Sequence, residues 1–188
     1  MLALAVILRQ RADVGEPHVS SRTRLAAPSP ERYGVGRVAT PSEITQRDIT
    51  VFPSGAGLPV GRGNAVRGEQ VYATECAGCH GVRGEGGQLG PALVGGIGSL
   101  DTERPKQTVG SYWPYATSVF DYTRRAMPYQ APGSLSADDV YAVTAYTLYL
   151  SGIVGKHHML DEKTLPAVKM PNRDGFITDP RPDVHAQR

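Results

Sequence analysis

Apolar residues recur at helical spacing in three parts of the chain, and these predict three helices. The first runs over 65–76, where Gly68 and Tyr72 lie four residues apart and share one face. The second runs over 115–126 and the third over 137–150. The third is apolar almost all round, which indicates burial on more than one side. No segment alternates apolar and polar residues with a period of two, so we expect an all-α domain with much irregular chain.

Local signals mark the ends of two of these helices. Ser136 is the predicted N-cap of the third helix, and Asp139 three residues later makes an acidic capping box with it. Gly152 follows the end of the same helix, where helices commonly terminate. The second helix is expected to stop before Pro128, because the residue preceding a proline disfavours the helical conformation.

The rest of the chain is rich in turn-forming residues, with 22 glycines and 15 prolines among 188 residues. It divides into a disordered arm or degenerate export signal over 1–32, an extended N-terminal arm over 33–63, the helical domain over 64–153 and an extended C-terminal strap over 154–188. The apolar start, residues 1–8, fits either a signal or a tail. No apolar run reaches the roughly 18 residues of a membrane span, so we expect no transmembrane segment.

Charged residues are balanced over the main body of the chain. The formal net charge is +2, and the excess lies within residues 1–32, which hold five arginines against three acidic residues. The remaining 15 basic and 15 acidic residues cancel. Because nucleic-acid-binding domains present a concentrated basic face, we expect no nucleic-acid partner. A near-neutral body also favours a stable protein complex over a diffusing carrier steered by a one-sided field.

The only two cysteines lie in the string Cys76-Ala77-Gly78-Cys79-His80, which matches C-x-x-C-H, the attachment signature of c-type haem. Each thiol adds to one haem vinyl group, and the histidine supplies an axial imidazole to the iron. Two alternatives stay open. A thioredoxin-like redox pair would need a βαβ context that the sequence lacks. A structural zinc site would need a fourth ligand from irregularly placed histidines: His18, His157, His158 or His185.

A haem that carries electrons needs a sixth iron ligand, and methionine is a common one. Met127 lies between the second and third predicted helices, and Pro128 after it constrains the loop that presents its thioether. We therefore predict His80 and Met127 as the iron ligands. Met170 also precedes a proline and is the main rival, whereas Met159 is interpreted as core filler. An open or histidine-ligated sixth position is the remaining alternative.

Two further residues are candidates for contacts with the haem or its histidine. Pro91 follows Gly90, and its carbonyl is predicted to accept a hydrogen bond from Nδ1–H of His80 and so orient the ring. The alternative is an ordinary turn proline. Trp113 either packs in the core, which is the plainer interpretation, or uses its indole N–H to bind a haem propionate. A tyrosine hydroxyl of the same aromatic group could bind the propionate instead; its members are Tyr112, Tyr115 and Tyr122.

The order of these motifs resembles class I cytochromes c: the 76–80 string, the 90–93 turn and then the 127–128 loop, with helices between them. The resemblance covers residues 64–153. It implies an all-α class I cytochrome c fold of about three to five helices around one covalently bound haem c. It also implies that the first and last helices cross near-perpendicularly. The residues expected at that crossing are Gly68 and Tyr72 against Val143 and Tyr146.

A narrower resemblance rests on the sequences flanking the haem motifs. These segments resemble the cytochrome subunit of bacterial sulfane and sulfite dehydrogenases, with a match over residues 33–183. They are TVGSYWPYAT over 108–117, FDY over 120–122, RRAMP over 124–128 and MPNRDGFI over 170–177.

The narrower resemblance implies a function and a set of partners. The chain would be a periplasmic one-electron carrier that is not catalytic by itself. Its electron donor would be a molybdenum-cofactor dehydrogenase subunit that oxidises a sulfur compound, and its acceptor another protein such as a second cytochrome c. The competing hypothesis is a haem enzyme with an open or displaceable sixth ligand, such as a peroxidase or a thiosulfate-oxidising cytochrome.

Overall fold

The computed structural model describes residues 35–179, and contacts divide the chain into two units, 1–39 and 40–188. Of the first unit, residues 35–39 are described and are exposed without regular secondary structure. The second unit is mostly helical in its described part. Its α-helices are α1 (Pro41–Arg47), α2 (Ala65–Glu75), α3 (Ala77–His80), α4 (Val109–Tyr112), α5 (Ala116–Ala126) and α6 (Ala137–Leu150), and a 3-10 turn spans Leu165–Ala167.

Helix α6 is the centre of the fold. Every residue from Val140 to Leu148 is buried, which confirms the prediction of burial on several sides. The backbone N–H of Asp139 donates to Oγ of Ser136 over 3.1 Å, so the predicted N-cap is present. Past the C-terminus, Gly152 adopts a φ of 71°, a left-handed conformation that glycine enters without steric cost.

Helices α2 and α6 pack at very close range through Gly68. A Cβ atom on Gly68 would lie 2.6 Å from the carbonyl carbon of Ala142 and 2.7 Å from Cβ of Tyr146. No side chain fits there, so the absence of a Cβ sets the separation of the two helices. One turn along α2, the rings of Tyr72 and Tyr146 are 5.2 Å apart. The predicted packing of the first helix on the last is confirmed.

The buried side chains form two clusters. The smaller cluster joins α2 to α6 and contains Val71, Tyr72 and Tyr146. The larger one joins α5, α6 and the C-terminal strap, and includes Phe120 packed on Tyr141 at a ring distance of 4.5 Å. Leu93 and Leu135 are partly buried and pack against both clusters.

The two extensions differ in how they meet the domain. The N-terminal arm contains α1, whose start is closed by a capping box between Thr40 and Glu43, and no residue of α1 is buried. The strap returns across the domain, with Leu160, Leu165, Val168 and Met170 buried in the larger cluster. A strap that buries four apolar side chains therefore covers its own domain at least as far as residue 170.

One short strand pair was not predicted. β1 (Arg62–Gly63) pairs antiparallel with β2 (Leu160–Asp161), joining the end of the arm to the strap. Strands of two residues are too short to show a periodic pattern, so the sequence carries no signal for them. Residues 1–32, predicted as an arm or export signal, lie outside the described residues. Within residues 35–179, no helix has the length and apolar character needed to cross a membrane.

Candidate haem site

The cysteine string begins where α2 ends. The backbone N–H of Cys76, the C-cap of α2, donates to the carbonyl of Tyr72 over 2.9 Å. The single turn α3 follows at once, and the His80 backbone N–H donates to the carbonyl of Cys76 over 3.0 Å. Both cysteines are half-buried and neither forms a disulfide. One turn of helix therefore presents two free thiols three residues apart, followed by an imidazole.

The surroundings of Cys76 favour an uncharged sulfur. Burial raises the pKa of its thiol to about 11, and the nearby charges of Glu75 and Cys79 add to the shift. A thiolate is thus disfavoured at neutral pH, because desolvation penalises the charged form. A thioether has no charge to desolvate, so this position suits a cysteine that has been joined to a haem vinyl group.

The His80 ring is held by the loop that follows it. Nδ1 of His80 lies 2.8 Å from the carbonyl oxygen of Pro91, which is the contact predicted from the sequence. A carbonyl can only accept, so Nδ1 carries the proton in this hydrogen bond. The lone pair of the neutral imidazole is then on Nε2, where it is available to a metal.

Sequence reasoning missed the part that Gly90 plays in this contact. A Cβ atom on Gly90 would lie 2.9 Å from Nδ1 and 3.0 Å from Cε1 of His80, and 3.1 Å from the carbonyl oxygen of Cys79. The loop reaches the ring because residue 90 has no side chain. The signal was a glycine directly before the proline whose carbonyl was predicted to bind the histidine.

Further hydrogen bonds hold the loop against α2. The Tyr72 hydroxyl donates to the carbonyl of Gly81 over 2.9 Å, immediately after the histidine. The backbone N–H groups of Leu93 and Val94 both donate to the carbonyl of Gly84, over 2.8 and 3.2 Å. The loop therefore closes on itself near its base, which keeps the 90–91 segment at the imidazole.

Met127 lies at the end of α5, as its C-cap. Its backbone N–H donates to the carbonyl of Thr123 over 3.0 Å, and its side chain is half-buried. Pro128 after it is buried. The helix thus ends at Ala126, two residues before the proline, and so stops before Pro128 as predicted.

The other two internal methionines occupy positions that sequence reasoning did not anticipate. Met170, the rival ligand, is only 3% exposed and belongs to the larger core cluster. Met159, interpreted as core filler, is 42% exposed, so that interpretation was wrong. Met170 is buried because the strap packs on the larger cluster between Leu160 and Met170, whereas Met159 lies just before that buried stretch. The path of the strap depends on tertiary contacts that the sequence pattern does not show.

Trp113 is the half-buried C-cap of α4, and its ring packs edge-on against Tyr122 at 5.7 Å and against the larger cluster. The aromatic packing expected from the sequence is present. The indole N–H has no hydrogen-bond partner within residues 35–179, so it is free to donate to a ligand. The other two tyrosines of the group contact the strap: Tyr112 packs on Phe176, and Tyr115 lies under Arg173.

These residues together fit a covalently bound haem. The site offers two unpaired thiols and an imidazole with Nε2 available. Met127 lies at the end of α5 with its side chain half-buried. Cys76 packs against the smaller core cluster, and apolar surface of this kind suits a porphyrin, which is large and mostly apolar. Other half-buried apolar side chains pack against the same cluster: Ala77, Leu93, Leu135 and Leu150. Within the described residues, no group of three or more histidine, cysteine or acidic side chains could hold a metal ion. Among residues 35–179 the cysteine string therefore has no ligand set for a structural zinc site, and the candidates His18 and His185 lie outside the described residues.

Comparison with known proteins agrees with this geometry. A family model described as "Cytochrome c" matches residues 65–151. The sulfane dehydrogenase SoxCD from Paracoccus pantotrophus, a solved crystal structure, contains a chain 43% identical to this one. The match covers 82% of this chain and 76% of that chain, with a TM-score of 0.74.

This chain belongs to the cytochrome c family. As a cytochrome c it carries a covalently bound haem c, and Cys76 and Cys79 fit a CxxCH-type attachment site. Its six described helices, with little strand, are the class I fold that the sequence predicted. A search of curated proteins found no match.

Proposed function

We propose that this cytochrome c is a one-electron carrier that accepts electrons from a molybdenum-cofactor dehydrogenase acting on a sulfane or sulfite-type compound. The observation that carries the proposal is the 43% identity to a chain of a sulfane dehydrogenase. That match covers 82% of the chain, whereas the cytochrome c family model matches less than half of it. The extensions around the haem domain therefore contribute to the likeness, and they are what an ordinary cytochrome c lacks.

The iron ligands in this proposal are His80 and Met127. The haem, when bound, supplies a one-electron Fe(III)/Fe(II) couple. His80 is oriented by Pro91, and Met127 is presented at a helix end by a backbone hydrogen bond to Thr123. Two protein ligands leave no position for a substrate, so the chain carries electrons and does not itself oxidise the sulfur compound. A two-electron oxidation at the partner then passes through this protein one electron at a time.

Three other residues of the chain have a part in the proposed function. Trp113 would donate its indole N–H to a haem propionate, while its ring packs on Tyr122. Leu89, in the loop after the histidine, is 79% exposed, and Val82 in the same loop is 73% exposed. An exposed apolar loop beside the attachment residues offers a contact surface to an electron donor or acceptor.

The proposed location is the periplasm, and the proposed acceptor is a further redox protein such as another cytochrome c. Both follow from the resemblance to the subunits of bacterial sulfur-compound dehydrogenases. The balanced charge of the main body supports a stable complex with the donor over steering by a one-sided field.

Gentle purification tests the partner directly. The protein is isolated from its source through a C-terminal tag, and the eluate is analysed for molybdenum and for haem reduction after addition of sulfite or thiosulfate. The expected result is a molybdenum-bearing partner and reduction of the haem. An eluate that contains no molybdenum, with no substrate-dependent reduction, contradicts the proposed partner but not the cytochrome c assignment. Rapid carbon monoxide binding by the ferrous protein would instead favour the haem-enzyme alternative, because that reaction needs an open sixth position.

A further inference from the structure

We propose that contacts from both extensions of this chain hold helix α5 in place and so position Met127, which lies at its C-terminal end. The inference rests on the proposed function in taking Met127 as the sixth ligand. The extensions, over 40–63 and 154–179, lie outside the family match at 65–151. They would act as positioning elements for the ligand, and they contact neither the iron nor a substrate.

The arm reaches α5 through one hydrogen bond with a large separation along the chain. The backbone N–H of Val51 donates to Oδ1 of Asp121 over 2.9 Å, and the Val51 side chain is buried in the larger cluster. Asp121 lies in the middle of α5, and its carboxylate also accepts from Nε of Arg125, 2.9 Å away. The carboxylate thus joins the arm to the helix and to its last turn.

The strap contacts the N-terminal end of α5. The Arg173 guanidinium lies over the ring of Tyr115, the N-cap of α5, at 4.5 Å from the ring centroid. The Asn172 side-chain amide donates to the carbonyl of Tyr112 over 2.7 Å, just before α5 begins. The 3-10 turn at Leu165–Ala167 also packs on α5. The start of the helix is therefore held by residues from outside the family domain.

The position of Met127 depends on these contacts because of how α5 is buried. Its buried residues, Ala116, Thr117, Val119 and Phe120, all lie in the first half. The last turn, 123–126, contains no buried residue. Since an α-helix is stiff along its axis, a shift at the held end moves the ligand end by a similar amount. The core alone anchors one half of α5, and the extensions add a contact at its start and another at its middle.

Displacement of Met127 by imidazole in the ferric holoprotein measures this effect. The signal is loss of the weak red absorption band of methionine-ligated ferric haem. In the strap variant Asn172→Ala/Arg173→Ala, the apparent affinity for imidazole should rise about five- to tenfold, because two contacts of modest strength are lost. Asp121→Ala should produce a similar rise. Asp121→Asn keeps an oxygen acceptor for the Val51 N–H and should restore most of the wild-type value.

Two control variants separate positioning from general stability. Arg67→Ala removes the same side chain as Arg173→Ala, but from an ion pair with Asp139 that joins α2 to α6 over 2.9 Å. Lys169→Ala changes an exposed residue of the strap itself. Both should leave the imidazole affinity within about twofold of wild type.

The outcomes are distinguishable. Wild-type imidazole affinity in the strap and Asp121→Ala variants would overturn the inference, and so would an equal rise in Arg67→Ala. If the wild-type ferric protein lacks the methionine band altogether, the proposed ligand has failed, and with it the basis of the inference. If the band is present and no variant changes the affinity for imidazole, only the proposed positioning of Met127 by the extensions has failed.

Discussion

At the scale of single residues, the site depends on where side chains are missing as much as on where they are present. His80 is oriented by a carbonyl from a loop eleven residues away along the chain. That carbonyl reaches the ring only because Gly90 leaves room for it. A hydrogen bond that withdraws the Nδ1 proton makes the imidazole a stronger donor to a metal, which stabilises the oxidised state.

Gly90→Ala should therefore raise the reduction potential. The added methyl group would meet the His80 ring at about 3 Å and push the loop away, so the hydrogen bond to Pro91 would lengthen. A rise of up to about 60 mV is expected, which equals a tenfold change in a one-electron equilibrium. Redox titration of the holoprotein measures it. Gly155→Ala is the control, because a Cβ at residue 155 meets nothing within 4 Å and the residue lies outside the cysteine string. An unchanged or lower potential in Gly90→Ala would contradict this account.

The residue scale also shows what sequence reasoning could reach. The pairing of His80 with Pro91 was predictable, since an axial histidine needs a partner for its second nitrogen and a carbonyl stood in the right loop. The exposure of Met159 and the burial of Met170 were not predictable. Both residues lie in a strap without regular periodicity, and their burial depends on which core surface the strap meets. The local sequence pattern does not show which surface of the core a segment packs against.

At the scale of elements, the long helices could be predicted from the sequence, whereas the short turns could not. The three long helices were predicted to within one residue at each end. Ser136 marks the start of α6 and Pro128 the end of α5, whereas α2 was predicted from its apolar spacing alone. The single turns α3 and α4 are too short for a periodic pattern. The close approach of α2 and α6 was implied by Gly68, but only by resemblance to a known family.

Gly68→Ala should destabilise the protein strongly. Alanine gains about 1 kcal/mol of helix propensity over glycine. Its Cβ, however, would lie within 2.7 Å of atoms of Ala142 and Tyr146, some of them backbone atoms that cannot move aside. The helices must separate, so a net loss of about 2 kcal/mol or more is expected. Denaturant unfolding of the holoprotein measures it. Gly155→Ala should be near neutral, since a Cβ there meets nothing; equal stability of the two variants would refute the packing argument.

The strap turn at Asp161 should give a pH-dependent contribution to stability. The backbone N–H of Thr164 donates to the Asp161 carboxylate over 2.8 Å, and the Thr164 hydroxyl and the Lys163 N–H donate to it as well. These bonds lower the pKa of the carboxyl below its ordinary value. A lowered folded-state pKa stabilises the fold above the unfolded-state pKa and loses that effect as the pH falls through the folded-state pKa.

The comparison of wild type with Asp161→Asn tests this sign. The difference in denaturation midpoint should be largest near neutral pH and should shrink as the pH falls below about 4. Asp101→Asn, at an exposed position without a hydrogen bond in the described structure, should show little difference at any pH. If the difference in denaturation midpoint between wild type and Asp161→Asn grows as the pH falls, the carboxylate does not stabilise the turn.

At the scale of the whole molecule, the fold joins a haem domain to two extensions that carry part of its stability. The domain matches the cytochrome c family, and the wider chain matches a sulfane dehydrogenase. The strap buries its apolar residues in the core that it shares with α5 and α6. The near-neutral charge of the main body fits a protein that works within a complex. The proposed electron-carrier function requires two iron ligands from this one chain, and His80 and Met127 would supply them.

The ferric absorption spectrum of matched methionine variants tests that requirement most directly. Met127→Leu and Met170→Leu each replace a thioether with an apolar side chain of similar size, so neither should prevent folding. We predict that the red methionine–iron band is present in the wild type and in Met170→Leu, and that it disappears in Met127→Leu. A band that survives in Met127→Leu, or a wild-type protein without one, would contradict the account.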